Sequence, residues 1–151
     1  MYNFKMTRPS TIGEAVEALK QEDAQALGGG QTLIPTLKQR LAMPSILVSL
    51  TSILEMEGVY MSNVNEVCIG GATTHATVSR KAKAYPGLAA LAAHIGDPAV
   101  RNRGTIGGSL ANNDPSACFP AAVLASGANI ITNIRKISAD DYFQGMFTTA
   151  L

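Results

Sequence analysis

Apolar and polar positions alternate along the chain in short blocks, each bounded by a capping residue or a glycine. Ile12, Ala15, Val16 and Leu19 recur at helical spacing, and Thr11 with Glu14 forms a capping-box pattern ahead of them. Ala24 to Leu27 reads as a short buried strand that runs into Gly28-Gly29-Gly30. Thr32 is placed to cap a second helix reaching about Leu41, with Pro35 in its first turn, where a missing N–H costs little. Ile46 to Leu50 is a second buried strand. The first 56 residues therefore read as an α/β lobe whose strands can pair in parallel. The lobe boundary is expected between Glu55 and Gly58.

From residue 57 to 151 the pattern changes to that of an α+β lobe. Val59–Met61 and Glu66–Ile69 predict strands joined by a turn at 62–65. Thr73 and Thr74 precede a helix through Val78 and Lys81. Leu88 to His94 predicts another, stopped by Gly96 and Pro98, and Pro120 to Ser126 one more, ended by Gly127. Asn129–Thr132 and Arg135–Ile137 predict strands, and Ser138 or Asp140 a cap for a last helix through Gln144. A mixed or antiparallel sheet is expected here. The fold class is α+β with an α/β N-terminal lobe.

Composition narrows the function. With 46% hydrophobic and 15% charged residues, the 151-residue chain has material for a packed core and too little charge for disorder. The net charge of +1 and the absence of a basic stripe argue against nucleic acid. Cys68 and Cys118 stand far apart in no ligand spacing, so no metal site is expected, and two inert thiols are preferred to a disulfide. No apolar run suits a signal peptide or a membrane span, and a cytoplasmic location is expected. His75 is read as a partly exposed polar residue, His94 as a helix-end residue, Asp140 and Asp141 as helix-start residues, and Met43, Met56, Met61 and Met146 as packing residues. No catalytic acid, base or nucleophile is assigned.

Two glycine stretches carry the candidate chemistry. In Gly28-Gly29-Gly30-Gln31-Thr32-Leu33, missing Cβ atoms let backbone N–H groups approach an anion. Leu33 stands where the dinucleotide fingerprint needs glycine or alanine, and the Gly-Lys-Ser/Thr of a Walker loop is absent. A ligand-free strand-to-helix turn stays open for this loop. The second stretch, Thr105-Ile106-Gly107-Gly108-Ser109, adds hydroxyls, and Asn112, Asn113 and Asp114 follow. A polar turn is its alternative reading. Together they suit a diphosphate bridged between two lobes, with a large group at either end.

At these residues the chain resembles the FAD-binding medium subunits of the molybdenum hydroxylases. Gly28 to Pro35 resembles their Ala-Gly-Gly-x-Ser-Leu-Ile-Pro loop. Residues 95 to 112, Gly70 to His75 and Ala139 to Phe143 are similar to family segments and occur in family order. The resemblance implies a two-lobe fold of the para-cresol methylhydroxylase type with FAD between the lobes. The pyrophosphate would be held at Gly28 to Leu33 and Thr105 to Ser109, and the ribityl chain near Asn112 and Asp114. It implies as partners a molybdenum-cofactor large subunit and a small subunit with [2Fe–2S] clusters, whose electrons pass through FAD to an external acceptor. Gly28 replaces the commoner alanine, Thr32 the commoner serine, and Cys118 an aspartate that many relatives carry near the flavin. Relatives also run on beyond Leu151, so the second lobe is expected to be incomplete. A truncated, cofactor-free interaction module and a self-sufficient flavin oxidoreductase are the competing expectations.

Overall fold

In the computed structural model, which describes residues 1–63 and 65–151, the chain opens with strand β1 (Lys5–Thr7), helix α1 (Ile12–Leu19), strand β2 (Ala24–Leu27), helix α2 (Leu33–Lys38) and strand β3 (Ile46–Ser49). The strands form a parallel sheet in the order β1-β3-β2, with Ile46 opposite both Lys5 and Ala24. β3 is central and buried along its whole length, as a parallel strand covered on both faces must be. Its side chains alternate between two clusters. Ile46 and Val48 pack with Ala15 of α1, and Leu47 packs with Leu27 and Leu37 of α2. The helices thus cover opposite faces.

Three expectations change here. β2 is an edge strand, and only its Leu27 is buried. β1 was not expected from the sequence: Lys5-Met6-Thr7 is only three residues long, too short for its alternation to mark a strand, and it pairs along the edge that β3 offers. The Thr11 cap is present, its Oγ1 accepting from the Glu14 N–H at 3.2 Å. The Glu14 carboxylate turns to Ser10, accepting from its N–H at 2.8 Å and its hydroxyl at 3.0 Å, and the Ser10 N–H holds the carboxyl below its usual pKa. α2 stops at Lys38 rather than Leu41, because Arg40 adopts a left-handed φ of 61° and the Leu41 N–H turns back to the Thr36 carbonyl.

After a 3-10 turn at Leu54–Met56, strands β4 (Val59–Asn63) and β5 (Glu66–Ile69) form an antiparallel hairpin. The turn expected at 62–65 includes Val64, which lies outside the described residues. Five helices follow: α3 (His75–Lys81), α4 (Pro86–His94), α5 (Pro98–Arg103), α6 (Ile106–Asn112) and α7 (Cys118–Ala125). They pack around Val78, Ala82, Leu88, Ala92, Ile106 and Phe119. Strands β6 (Asn129–Ile131) and β7 (Lys136–Ser138) pair antiparallel, helix α8 (Ala139–Tyr142) follows, and β8 (Phe143–Gly145) pairs with β9 (Thr148–Thr149).

The fold is α+β, but the single mixed or antiparallel sheet expected after residue 57 does not form. Among the described residues this part holds three separate two-stranded ribbons, while the helices occupy its core. Pro98, expected to stop α4, begins α5 at the first helical position, where its missing N–H is harmless, and the Asp97 carboxylate caps the Val100 N–H at 2.9 Å. α8 is capped by Ser138 and ends two residues before Gln144. Met43, Met61 and Met146 are exposed rather than packed, and of the four methionines singled out only Met56 joins a core cluster. Cys118 is exposed and Cys68 half-buried, both as free thiols.

Candidate functional site

The first glycine loop leaves a row of donors unused. Gly30 takes a left-handed φ of 74°, and the Ile34 N–H bonds back to the Gly30 carbonyl at 3.0 Å. Among the described residues, no backbone N–H from Gly28 to Leu33 donates to another group of the chain. Thr32 was expected to cap α2 with its side chain and does not; its carbonyl instead accepts from the Thr36 hydroxyl at 2.9 Å. Consecutive free N–H groups at a half-exposed glycine turn suit an anion.

The second stretch is not a loop. Thr105 caps α6, its Oγ1 accepting from the Gly108 N–H at 3.2 Å. The remaining first-turn donors are also engaged: Ile106 N–H to the Thr73 carbonyl at 3.0 Å, Gly107 N–H to the Gly71 carbonyl at 2.9 Å and Ser109 N–H to the Thr105 carbonyl at 3.0 Å. Thr105 is buried, so this stretch offers a ligand the Ser109 hydroxyl and the exposed face of Gly108, not backbone donors. Thr105→Ala should remove the cap and lower stability by about 1 kcal/mol, read as a fall in the urea midpoint at unchanged slope.

The two stretches meet face to face. A Cβ on Gly28 would lie 2.8 Å from Thr105 Oγ1, and one on Gly29 would overlap the Arg103 carbonyl and lie 2.6 Å from Gly104 Cα. Backbone touches backbone here because both sides lack side chains. A third glycine pair braces the second stretch from behind. Gly71 backs Gly107, the His75 N–H bonds to the Gly104 carbonyl at 2.9 Å, and Thr73 ties the segment to Gly58 through its hydroxyl. In the sequence, Gly70-Gly71 marks only the start of the family-like segment Gly70 to His75. The pair itself was the available signal for this bracing role.

Asn112 and Asp114 sit at the opposite end of α6, about 10 Å from its start at 1.5 Å per residue. Asn113, in a left-handed φ of 44°, donates to the carbonyls of Gly145 at 2.7 Å and Thr148 at 3.0 Å, which ties the β8–β9 hairpin to α6. The Asp114 carboxylate accepts from the Ser116 N–H at 2.9 Å and hydroxyl at 2.7 Å, and these bonds hold its pKa below the ordinary value. An open cavity of about 300 Å³ lies at this end, lined by Asn113, Pro115, Phe143, Gly145 and Met146. It shares no lining residue with the glycine segments. The structure thus brings Gly28 to Leu33 and Thr105 to Ser109 together and leaves Asn112 and Asp114 apart from them.

His75 corrects a further expectation. It is buried, 6% exposed, with its ring centroid 5.1 Å from that of Phe119. Its Nδ1 is buried without a partner, a cost of about 1–3 kcal/mol for a polar group taken from water. Burial pushes its pKa below the ordinary histidine value. His94 is exposed at the end of α4, its Nδ1 2.8 Å from the Ala90 carbonyl. Asp140 and Asp141 lie in the first turn of α8, where Ser138 caps the Asp141 N–H at 3.2 Å. No helix among the described residues is long and apolar enough to cross a membrane.

The family described as "FAD binding domain in molybdopterin dehydrogenase" matches residues 2–151. The chain is 37% identical over 161 residues to the nicotine 6-hydroxylase medium subunit of Paenarthrobacter nicotinovorans, covering 98% of the chain and 55% of that protein. It is 39% identical over 158 residues to the carbon monoxide dehydrogenase medium chain of Afipia carboxidovorans, covering 99% and 54%. Among solved structures, carbon monoxide dehydrogenase from Hydrogenophaga pseudoflava superimposes with a TM-score of 0.93 at 35% identity, over 99% of this chain and 55% of the other. Quinoline 2-oxidoreductase from Pseudomonas putida gives 0.92 at 35%, over 99% and 55%. The chain spans about half the length of these relatives.

Proposed function

The chain belongs to the FAD-binding domain family of molybdopterin dehydrogenases, and from that premise we propose that it is the flavin-holding part of a molybdenum hydroxylase medium subunit. The observation that carries the reading is the row of unpaired N–H groups from Gly28 to Leu33, set against the capped start of α6. A pyrophosphate presents acceptor oxygens to such a row, and the glycines admit it at backbone distance. Gly28, Gly29, Gly30, Gln31, Thr32 and Leu33 would donate to the phosphates. Ser109 would add a hydroxyl, and Thr105, Ile106, Gly107 and Gly108 would form the floor.

Asn112 and Asp114 belong to a second subsite of the same ligand, for its ribityl end, one helix length away. Residues 1–56 and 57–151 form the two lobes that hold it. When bound, FAD takes up and releases electrons, and the protein orients it. By analogy with medium subunits, the electrons come from a partner's iron–sulfur clusters, fed by a molybdenum subunit, and leave to an external acceptor.

The test is an absorbance spectrum of the purified chain over about 300 to 550 nm, the flavin window, with released cofactor identified by chromatography. FAD near one per chain is expected. Adding FAD to stripped chain should shift the amide resonances of Gly28 to Leu33 before others. A chain that stays colourless with excess FAD, its 28–33 amides unmoved, would remove the reading.

A further inference from the structure

His75 lies beneath the crossing of the glycine segments, and the flavin reading gives it no part. We propose that His75 is a positioning residue of this site: its neutral imidazole, packed against both Phe119 and Gly104, sets the height of Gly104 under Gly29, and protonating it lets the segments part. The inference rests on the flavin reading of the site.

The stack is continuous. Phe119 packs on one side of the ring, with 47° between the ring planes. At the Nε2–Cδ2 edge, a Cβ on Gly104 would lie 2.5 Å from Nε2 and 2.8 Å from Cδ2, so the glycine backbone rests on the imidazole edge. Gly104 Cα is in turn what a Cβ on Gly29 would meet at 2.6 Å. Close-packed layers transmit a displacement rather than absorb it. A shift at the ring therefore reaches the free N–H row through one glycine.

The elements packed around the ring bring no free carboxylate to stabilise a charge on it. α3 carries Arg80 and Lys81, α4 His94, α5 Arg101 and Arg103, and α7 Cys118, while α6 and residues 28–33 and 70–74 carry no titratable group. The nearest carboxylate in sequence to these helices, Asp97, already caps the Val100 N–H. Burial lowers the folded pKa of His75 below 6.5. The assembled site favours the neutral ring, so its contribution is complete above the ordinary histidine value. It is lost as pH falls through that value toward the lower folded one.

The experiment measures FAD affinity of the whole chain by flavin fluorescence between about pH 8 and pH 5, the range over which an imidazole titrates. It compares the wild type with His75→Phe and His75→Gln. The wild type should weaken roughly tenfold or more on the acid side, the change expected of one coupled proton per pH unit. His75→Phe should hold its affinity nearly constant with pH. A flat wild-type curve, or equal pH dependence in both variants and the wild type, overturns the proposal. Should His75→Phe not fold, His75→Gln and the wild-type curve decide. A cofactor-free arm follows hydrogen exchange of the Ile106 and Gly107 amides, which bond to Thr73 and Gly71. Their protection should fall with acid in the wild type alone. If the wild type takes no FAD at any pH, the flavin reading fails and this arm still decides the role of His75.

Discussion

Gly29→Ala is expected to strip the chain of flavin and to destabilise it by about 3 kcal/mol, the upper end of ordinary overpacking. The added methyl would overlap the Arg103 carbonyl and press on Arg103 C and Gly104 Cα, each 2.6 Å away. All three are backbone atoms, held by the Gly104 N–H bond to Val100 and the His75 N–H bond to Gly104. No rotamer change can make room, so one glycine segment must move off the other. The free N–H row then loses its facing wall, and FAD should bind more than tenfold more weakly, a change of at least about 1.4 kcal/mol. Gly30→Ala should cost less, about 1–2 kcal/mol for its left-handed φ of 74°, because the atom it meets at 2.8 Å is the movable Ile34 side chain. Gly87→Ala is the control: in α4 its methyl meets Tyr85 Cε2 at an ordinary 3.6 Å, and helix propensity should stabilise the chain by up to about 1 kcal/mol. Urea midpoints and FAD titrations of the three variants separate these effects. A Gly29→Ala chain with both a normal midpoint and normal FAD affinity would contradict the backbone contact.

What the sequence made legible was local. Thr11, Thr74 and Ser138 each cap the helix they were expected to start, because a hydroxyl three residues ahead of an N–H acts within one turn. β3 could be read from the apolar run Ile46-Leu47-Val48. The misses depended on distant partners. β1 pairs along the edge that β3 offers. α5 hid behind Gly96 and Pro98, which punctuate one helix and open the next. α6 carries two glycines in its first turn, each costing about 1 kcal/mol of helix propensity, and forms because Thr105 caps it and Ile106 is buried in the core. The glycine segments were recognisable as candidates from their composition. Which of their N–H groups remain free was not, since that depends on the carbonyls of Gly71 and Thr73, some thirty residues before α6.

Gly107 and Gly108 should accordingly behave differently, although they are neighbours of one residue type. The Cβ of Gly107→Ala would lie 2.6 Å from the Gly71 carbonyl oxygen and 2.9 Å from Gly71 Cα. It breaks the stitch made by the Gly107 N–H, so a loss of about 2–3 kcal/mol is expected, with flavin binding lost as a consequence. Gly108 is exposed, and its added methyl meets only Thr105 Oγ1, at 2.9 Å. Displacing that hydroxyl weakens a cap worth about 1 kcal/mol, and alanine returns about the same through helix propensity. Gly108→Ala should therefore leave the thermal midpoint nearly unchanged. If a pyrophosphate lies on the exposed first turn of α6, the same methyl stands in its path, and FAD affinity should fall about tenfold or more, at least about 1.4 kcal/mol. Calorimetric titration with FAD beside thermal unfolding reads both quantities on each variant. Weak binding at an intact midpoint puts the ligand over Gly108. Wild-type affinity in Gly108→Ala would confine the phosphate site to the row from Gly28 to Leu33 and leave α6 as its support.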